Sequence, residues 1–242
     1  MCANIGDMVE MAPKIKIAVL FRGPVRPDIN SVVFRCQEFV DQFRGAQNVE
    51  LVTYLATWRT WKQHTASTLL SLDLFDNVIM QTEPTDQQIQ RATRITKLPN
   101  GADIRPVFNM YYQSKTALDL IHAADDYAFI VHSRTDMIMQ MGEHIVQWFD
   151  QNAYTAPHVP GVAAPHAPHI APEDLWICDQ FGIAPSAMMQ AAWDYGTIED
   201  LGKRIEAADI PERVLQNMMR ERNIIAKAPP TVQWALDPRR NA

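Results

Sequence analysis

The ordered pattern of the chain begins with "IKIAVLF", residues 15–21, a short aliphatic run preceded by Pro13. A run apolar on both faces suits a central strand of a parallel sheet. It gives way to "RGPVRPDIN", where Gly23, Pro24 and Pro27 interrupt any regular element. With Asn30 or Ser31 as cap, a helix is expected that carries Val32, Cys36, Phe39, Val40 and Phe43 on one face. "VELVTYLATW", residues 49–58, predicts a second strand and "NVIMQTEP", residues 77–84, a third. Residues 84–95 suit a polar surface helix. A stronger one follows through Val107, Met110, Tyr111, Ser114, Ala117, Leu118 and Ile121. "YAFIVHSRTDMIM", residues 127–139, predicts a fourth strand, one that turns abruptly polar from His132 to Asp136. A plain core strand has no need of a cation and a carboxylate at its end. Strand, helix, strand, strand, helix, strand predicts an α/β fold with a mostly parallel central sheet flanked by helices.

The pattern then loosens. "YTAPHVPGVAAPHAPHIAPED", residues 154–174, is a proline-rich, irregular loop, of a kind more often functional than accidental. "LWICDQFGIAP", residues 175–185, predicts a short strand or turn. The C-terminal part is helical, over 186–195 and 211–222, the second opened by Pro211 in its first turn. "TVQWALD" adds an edge strand. With no repeat and no low-complexity linker, residues 14–242 read as one domain behind a flexible lead, 1–13.

Composition narrows the picture. Of 242 residues, 47% are hydrophobic, enough for a core without disulfides or structural metal. Cys2, Cys36 and Cys178 lie far apart and form no Cys-x-x-Cys pair, which fits a reducing compartment. Asp7 and Glu10 interrupt the lead where a signal peptide needs an apolar run, and no later stretch is long and apolar enough to span a membrane. A soluble, cytoplasmic protein is expected, with peripheral attachment to the inner membrane left open. The net charge of −6 speaks against nucleic-acid binding. Neither G-x-G-x-x-G nor G-x-x-x-x-G-K occurs, so a bound nucleotide would be held by side chains or a metal.

Ligands of open α/β sheets sit beyond the carboxyl ends of the strands. Four such places carry polar groups: Arg22, Gly23 and Arg26 after the first strand, Thr57, Trp58 and Arg59 at the second, Thr82 and Glu83 after the third, and Ser133, Arg134 and Asp136 after the fourth. That set suits a nucleotide-sugar. Guanidinium groups or a divalent ion stabilise a diphosphate leaving group, and a magnesium or manganese ion needs only one or two protein carboxylates, for which Asp136 is the candidate. Trp58 can stack on a base or pack beneath the sugar. Plainer roles compete: a structural Arg134–Asp136 ion pair, solvated loop arginines at 22 and 26, a core Trp58, and Glu212 complementing a helix dipole. His158, His166 and His169 raise a metal-dependent hydrolase as a weaker alternative.

The ordered blocks "KIAVLFRGPVRP", "ELVTYLATW", "NMYYQSKTALDLIHAADDYAFIVHSRTDM" and "DQFGIAPSAMM" resemble those of bacterial surface-polysaccharide glycosyltransferases, in particular the WavE-type lipopolysaccharide-synthesis family and its capsular relatives. The resemblance spans roughly residues 14–200. It implies a GT-A-like fold and transfer of a sugar, as a hexosyltransferase, from a nucleoside-diphosphate sugar to a glycan or lipid-linked saccharide. By matching position it implies that Gly23 and Arg26 fall in the donor-side loop, that Asp136 takes the place of the metal- and diphosphate-binding aspartate, and that Asp179 falls in the acceptor-side block. The donor nucleotide is then expected near Arg22, Gly23, Arg26 and Trp58, with Arg134 neutralising charge and Asp179 as catalytic base or acceptor-binding carboxylate. One departure stands out: Arg-Thr-Asp replaces the usual Asp-x-Asp, which puts dependence on Mn2+ or Mg2+ in question. A non-catalytic nucleotide-sugar- or glycan-binding protein of the same fold is the alternative.

Overall fold

The computed structural model describes residues 14–26, 28–43, 46, 48–59, 69–71, 73–140, 148–159, 176–227 and 233–236. The N-terminal half follows the predicted order. β1 (Ile15–Arg22) leads into α1 (Ile29–Asp41), then β2 (Val49–Trp58) and β3 (Asn77–Gln81). α2 (Asp86–Ala92) and α3 (Ile104–Ala124) precede β4 (Phe129–Arg134) and β5 (Met137–Gln140). Short strands β6 (Tyr154–Thr155), β7 (His158–Val159) and β8 (Trp176–Ile177) lead to β9 (Phe181–Pro185). α4 (Ser186–Trp193), α5 (Ile198–Glu206) and α6 (Pro211–Glu221) follow, then β10 (Ala226–Lys227) and β11 (Gln233–Leu236).

The main sheet has the order β10-β6-β9-β4-β1-β2-β3. Its centre is parallel, with β1 between β2 and β4 and β3 outside β2. β9 runs antiparallel to β4. The parallel register sets Arg22 beside Arg134, so β1 and β4 end at the same level.

Alternation along these strands sorts the two faces. Ile17, Val19 and Phe21 of β1 and Phe129 and Val131 of β4 join the core under α1, where Phe21 meets Phe39 and Phe75 edge to face. Ala18, Leu20 and Ile130 point the other way, to α3, α4 and α6. Arg22, His132 and Arg134 share the parity of that second set, so a polar row continues the core beneath α3.

Four expectations change. α1 is capped by Asp28, whose carboxylate accepts from Ser31 N, rather than by Asn30 or Ser31. The apparent strand 127–139 is two strands: β4 ends at Arg134, the chain turns at Thr135–Asp136, and β5 pairs with β11 in a separate two-stranded sheet. α5 was not expected. It opens on a Thr197–Asp200 capping box, and Gly202 lets it approach α2. The proline-rich loop contributes strands β6 and β7 at its start, and residues 160–175 lie outside the described residues.

Candidate functional site

A cleft of about 480 Å³ lies beyond the carboxyl ends of the parallel strands. Each strand end reaches it: Pro24 and Arg26 in the loop after β1, Trp58 at the end of β2, Glu83 after β3, and Arg134 closing β4. The first three turns of α3 supply further wall through Arg105, Asn109 and Gln113, the first turn of α6 through Glu212, and the approach to β9 supplies Asp179 and Gln180. Both helix amino-termini place the positive end of a dipole at the rim.

The cleft is rich in polar atoms that the fold leaves unpaired. Among the described residues, buried side-chain atoms with no hydrogen-bond partner are Arg26 Nε, Gln81 Oε1, Asn109 Oδ1, Gln113 Nε2, His132 Nδ1, Asp179 Oδ1 and Gln180 Oε1. Five of these seven belong to cleft-lining residues: Arg26, Asn109, Gln113, Asp179 and Gln180. An orphaned buried polar group costs about 1–3 kcal/mol, so such a concentration at one place points to a polar ligand.

Behind the wall lies a second row. Arg22, expected beside the donor nucleotide, is only 3% exposed and does not line the cleft. Its Nε donates to His132 Nε2 at 2.6 Å, its Nη2 donates to the Asp179 carbonyl at 2.7 Å, and its guanidinium lies over the Trp193 ring. Burial, then the charge of Arg134, lowers its pKa to about 10, and it stays a cation at neutral pH. His132 is pushed well below the ordinary histidine range by burial and by the two arginines, so it is neutral and can accept that bond. Gly23 likewise sits behind the wall. Its φ is +128°, and a Cβ there would meet Thr135 Oγ1 at 2.9 Å, so it serves the turn rather than the ligand.

Asp136 departs furthest from expectation. It is 1% exposed and lies behind the arginines rather than in the cleft. Arg134 Nε donates to its Oδ1 at 2.7 Å and Arg134 Nη2 to its Oδ2 at 2.6 Å, a bidentate fork, while Arg26 Nη2 stands 3.5 Å from Oδ2. Burial alone would raise its pKa. The bonds and charge of Arg134, with the charges of Arg26 and Arg22, hold it below the ordinary carboxylate value.

A divalent metal does not fit here. A ligating carboxylate must offer an oxygen lone pair at about 2 Å from the ion, and each oxygen of Asp136 already accepts a guanidinium N–H and is buried behind it. Two unit charges about 4 Å apart interact by about 4 kcal/mol at a partly buried site, so a dication beside Arg134 would face roughly twice that in repulsion. Among the described residues no group of three His, Cys, Asp or Glu side chains is arranged to hold a metal. His166 and His169, and the side chain of His158, lie outside the described residues.

Asp179, by contrast, is in the cleft wall and 2% exposed. Burial, followed by the negative charge of Glu212, raises its carboxyl to about 6, against the pull of Arg22 and Arg134. Such a group ionises near neutrality and can take a proton.

Several contributors escaped the sequence reading. Arg35, on α1, donates from Nε to the Thr135 carbonyl at 2.8 Å and from Nη2 to the Arg26 carbonyl at 2.9 Å. It stitches the loop of Arg26 to the turn of Asp136, with Thr135 Oγ1 donating to the Pro24 carbonyl at 2.9 Å. Its signal was a cation inside the otherwise apolar stripe of α1. Gln113 was signalled in the same way by its place among the buried positions of α3. Glu212 has a helix-terminal position, as expected, yet it also lines the cleft and acts on Asp179.

No family model and no curated protein matches this chain. Solved structures do. The galactosyltransferase LgtC, in complex with donor and acceptor sugar analogues, superposes with a TM-score of 0.50 at 8% identity, over 86% of this chain and 72% of that one. Drosophila β-1,4-galactosyltransferase 7, a mutant in complex with manganese, UDP-Gal and xylobiose, gives a TM-score of 0.42 at 9% identity, over 90% of this chain and 66% of that one. The mixed, mostly parallel seven-stranded sheet with its flanking helices is thus a GT-A-like α/β fold.

Proposed function

We propose that the chain is a glycosyltransferase that moves a sugar from a nucleoside-diphosphate sugar to a glycan or lipid-linked saccharide, in the synthesis of a surface polysaccharide. The observation that carries this reading is the meeting of Arg26, Trp58 and Arg134 with Asp179 around one cleft at the strand ends. Cations for a diphosphate, an aromatic face for a base or sugar, and a carboxylate able to take a proton are the parts such a transfer needs. The GT-A-like fold and the resemblance to the WavE-type family support it, the latter supplying the surface-polysaccharide role.

In the reaction, the acceptor hydroxyl oxygen forms a bond to the anomeric carbon of the donor. The bond from that carbon to the diphosphate breaks, and its electron pair leaves on the phosphate oxygen, where Arg26 and Arg134 stabilise the charge. The acceptor proton passes to Asp179. This is the direct-displacement, inverting form of the reaction.

The test is release of nucleoside diphosphate from UDP-, GDP- and CDP-hexoses, with and without simple saccharide acceptors. Asp179→Asn is expected to lower turnover by about 10²–10⁴-fold, the usual contribution of a general base, while donor affinity changes little. Donor binding without release under any condition would instead identify the non-catalytic binding protein. Failure to bind any nucleotide-sugar contradicts both.

A further inference from the structure

We infer that the cleft holds the diphosphate of its ligand through a guanidinium pair, Arg26 and Arg134, locked in place by Asp136, with no divalent cation at that aspartate. This rests on the reading of the cleft as a nucleotide-sugar site and adds to it the means of diphosphate recognition.

The exposures give the direction. The Asp136 side chain is 1% exposed, whereas those of Arg134 and Arg26 are 20% and 41% exposed, so the cations and not the carboxylate reach the cleft. Asp136 spends Oδ1 and Oδ2 on Arg134 and also faces Arg26. An arginine carries five N–H donors. After its two bonds to Asp136, Arg134 retains both Nη1 hydrogens and one on Nη2. Arg26 Nε is buried with no partner. Two guanidiniums share one carboxylate, so the group carries a net positive charge toward the cleft, in forks that match phosphate oxygens.

The clamp is also rigid. Arg35 ties the Arg26 carbonyl to the Thr135 carbonyl, Thr135 N donates to the Arg22 carbonyl at 3.0 Å, and Thr135 Oγ1 donates to Pro24. A preordered cation pair loses little entropy on binding and does the electrostatic work otherwise done by an ion. Asp136 is on this account a positioning residue.

Calorimetry with UDP, GDP, CDP and inorganic pyrophosphate decides it, each titrated in chelator and again in manganese. The expected result is diphosphate binding whose affinity agrees within about threefold between the two conditions. Arg26→Ala and Arg134→Lys should each weaken it by about tenfold or more, because lysine cannot reproduce the fork. Asp136→Asn should weaken binding equally in chelator and in manganese. Circular dichroism and thermal unfolding establish that each variant is folded, and the partly exposed Arg26→Ala carries the test if Arg134→Lys is not. Binding that requires manganese and vanishes in chelator overturns the inference while leaving the donor site standing. Metal-independent binding unaffected by Arg26→Ala and Arg134→Lys overturns the clamp. Absence of binding in both conditions overturns the functional reading itself.

Discussion

Asp179 and Asp136 are both buried carboxylates at the end of the sheet, and the groups around them send them in opposite directions. Asp136 lies in the fork of Arg134 and stays ionised. Asp179 has an unpaired Oδ1 and Glu212 for company, and its carboxyl rises to about 6. If Asp179 is the base, turnover should climb as pH rises through about 6 and level off above it, a limb that Asp179→Asn abolishes. Stability should move the other way. A carboxyl whose folded pKa lies above its ordinary 3.8 favours the folded state below about pH 4, and that benefit is lost as pH rises through about 6. The gap is worth at most about 3 kcal/mol. Asp179→Asn should therefore be more resistant to urea than the parent at pH 8 and show no such gain at pH 4, while being nearly inactive. A variant equally destabilised at both values would mark Asp179 as a structural residue.

The same residues show what a sequence can and cannot convey. Arg134, Asp136 and Asp179 stood out because polar groups interrupt apolar runs, and all three lie in or against the cleft. Which atom faces the ligand was not legible, because a two-residue turn at 135–136 decides it. That turn places the arginine forward and the aspartate behind. Arg22 was misplaced for a related reason. As the last residue of β1 it belongs to a strand whose alternation aims it under α3, onto His132 and Trp193, rather than to the loop beyond.

Among the elements, β1, β2, β3 and α3 were legible because their apolar patterns are sustained. β4 and β5 merged in the sequence because Met137 resumes the apolar pattern directly after the turn, and only pairing with β11 separates them. α5 was hidden by its content: most of its nine residues are polar, with Leu201, Gly202 and Ile205 buried. Its packing on α2 depends on Gly202. A Cβ at that position would come within 1.9 Å of the Ala92 carbonyl oxygen, a backbone atom with little freedom to yield. Gly202→Ala should therefore cost about 1–3 kcal/mol despite alanine's better helix propensity. For a chain of this size that lowers the melting temperature by roughly 2–4 °C per kcal/mol. Differential scanning calorimetry measures the shift, and an unchanged or higher melting temperature would contradict the close α2–α5 crossing. Diphosphate affinity should be unchanged in the same variant, since neither residue lines the cleft.

At the scale of the whole molecule, the parallel sheet fixes the site. β1 and β4 finish side by side, β2 and β3 finish next to them, and the first turns of α3 and α6 close the space above. Arg22, Arg26, Arg134, Asp136 and Asp179 then converge without any one element supplying more than a few of them. No helix among the described residues is long and apolar enough to cross a membrane. The most direct measurement of the central claim is the position of a nucleoside diphosphate soaked into crystals of the protein in the presence of chelator. The account predicts phosphate density within about 3 Å of the guanidinium nitrogens of Arg26 and Arg134, with the terminal phosphate on the side facing Asp179. Phosphate density remote from both arginines, or appearing only when manganese is added and bridged by the ion to Asp136, would contradict it.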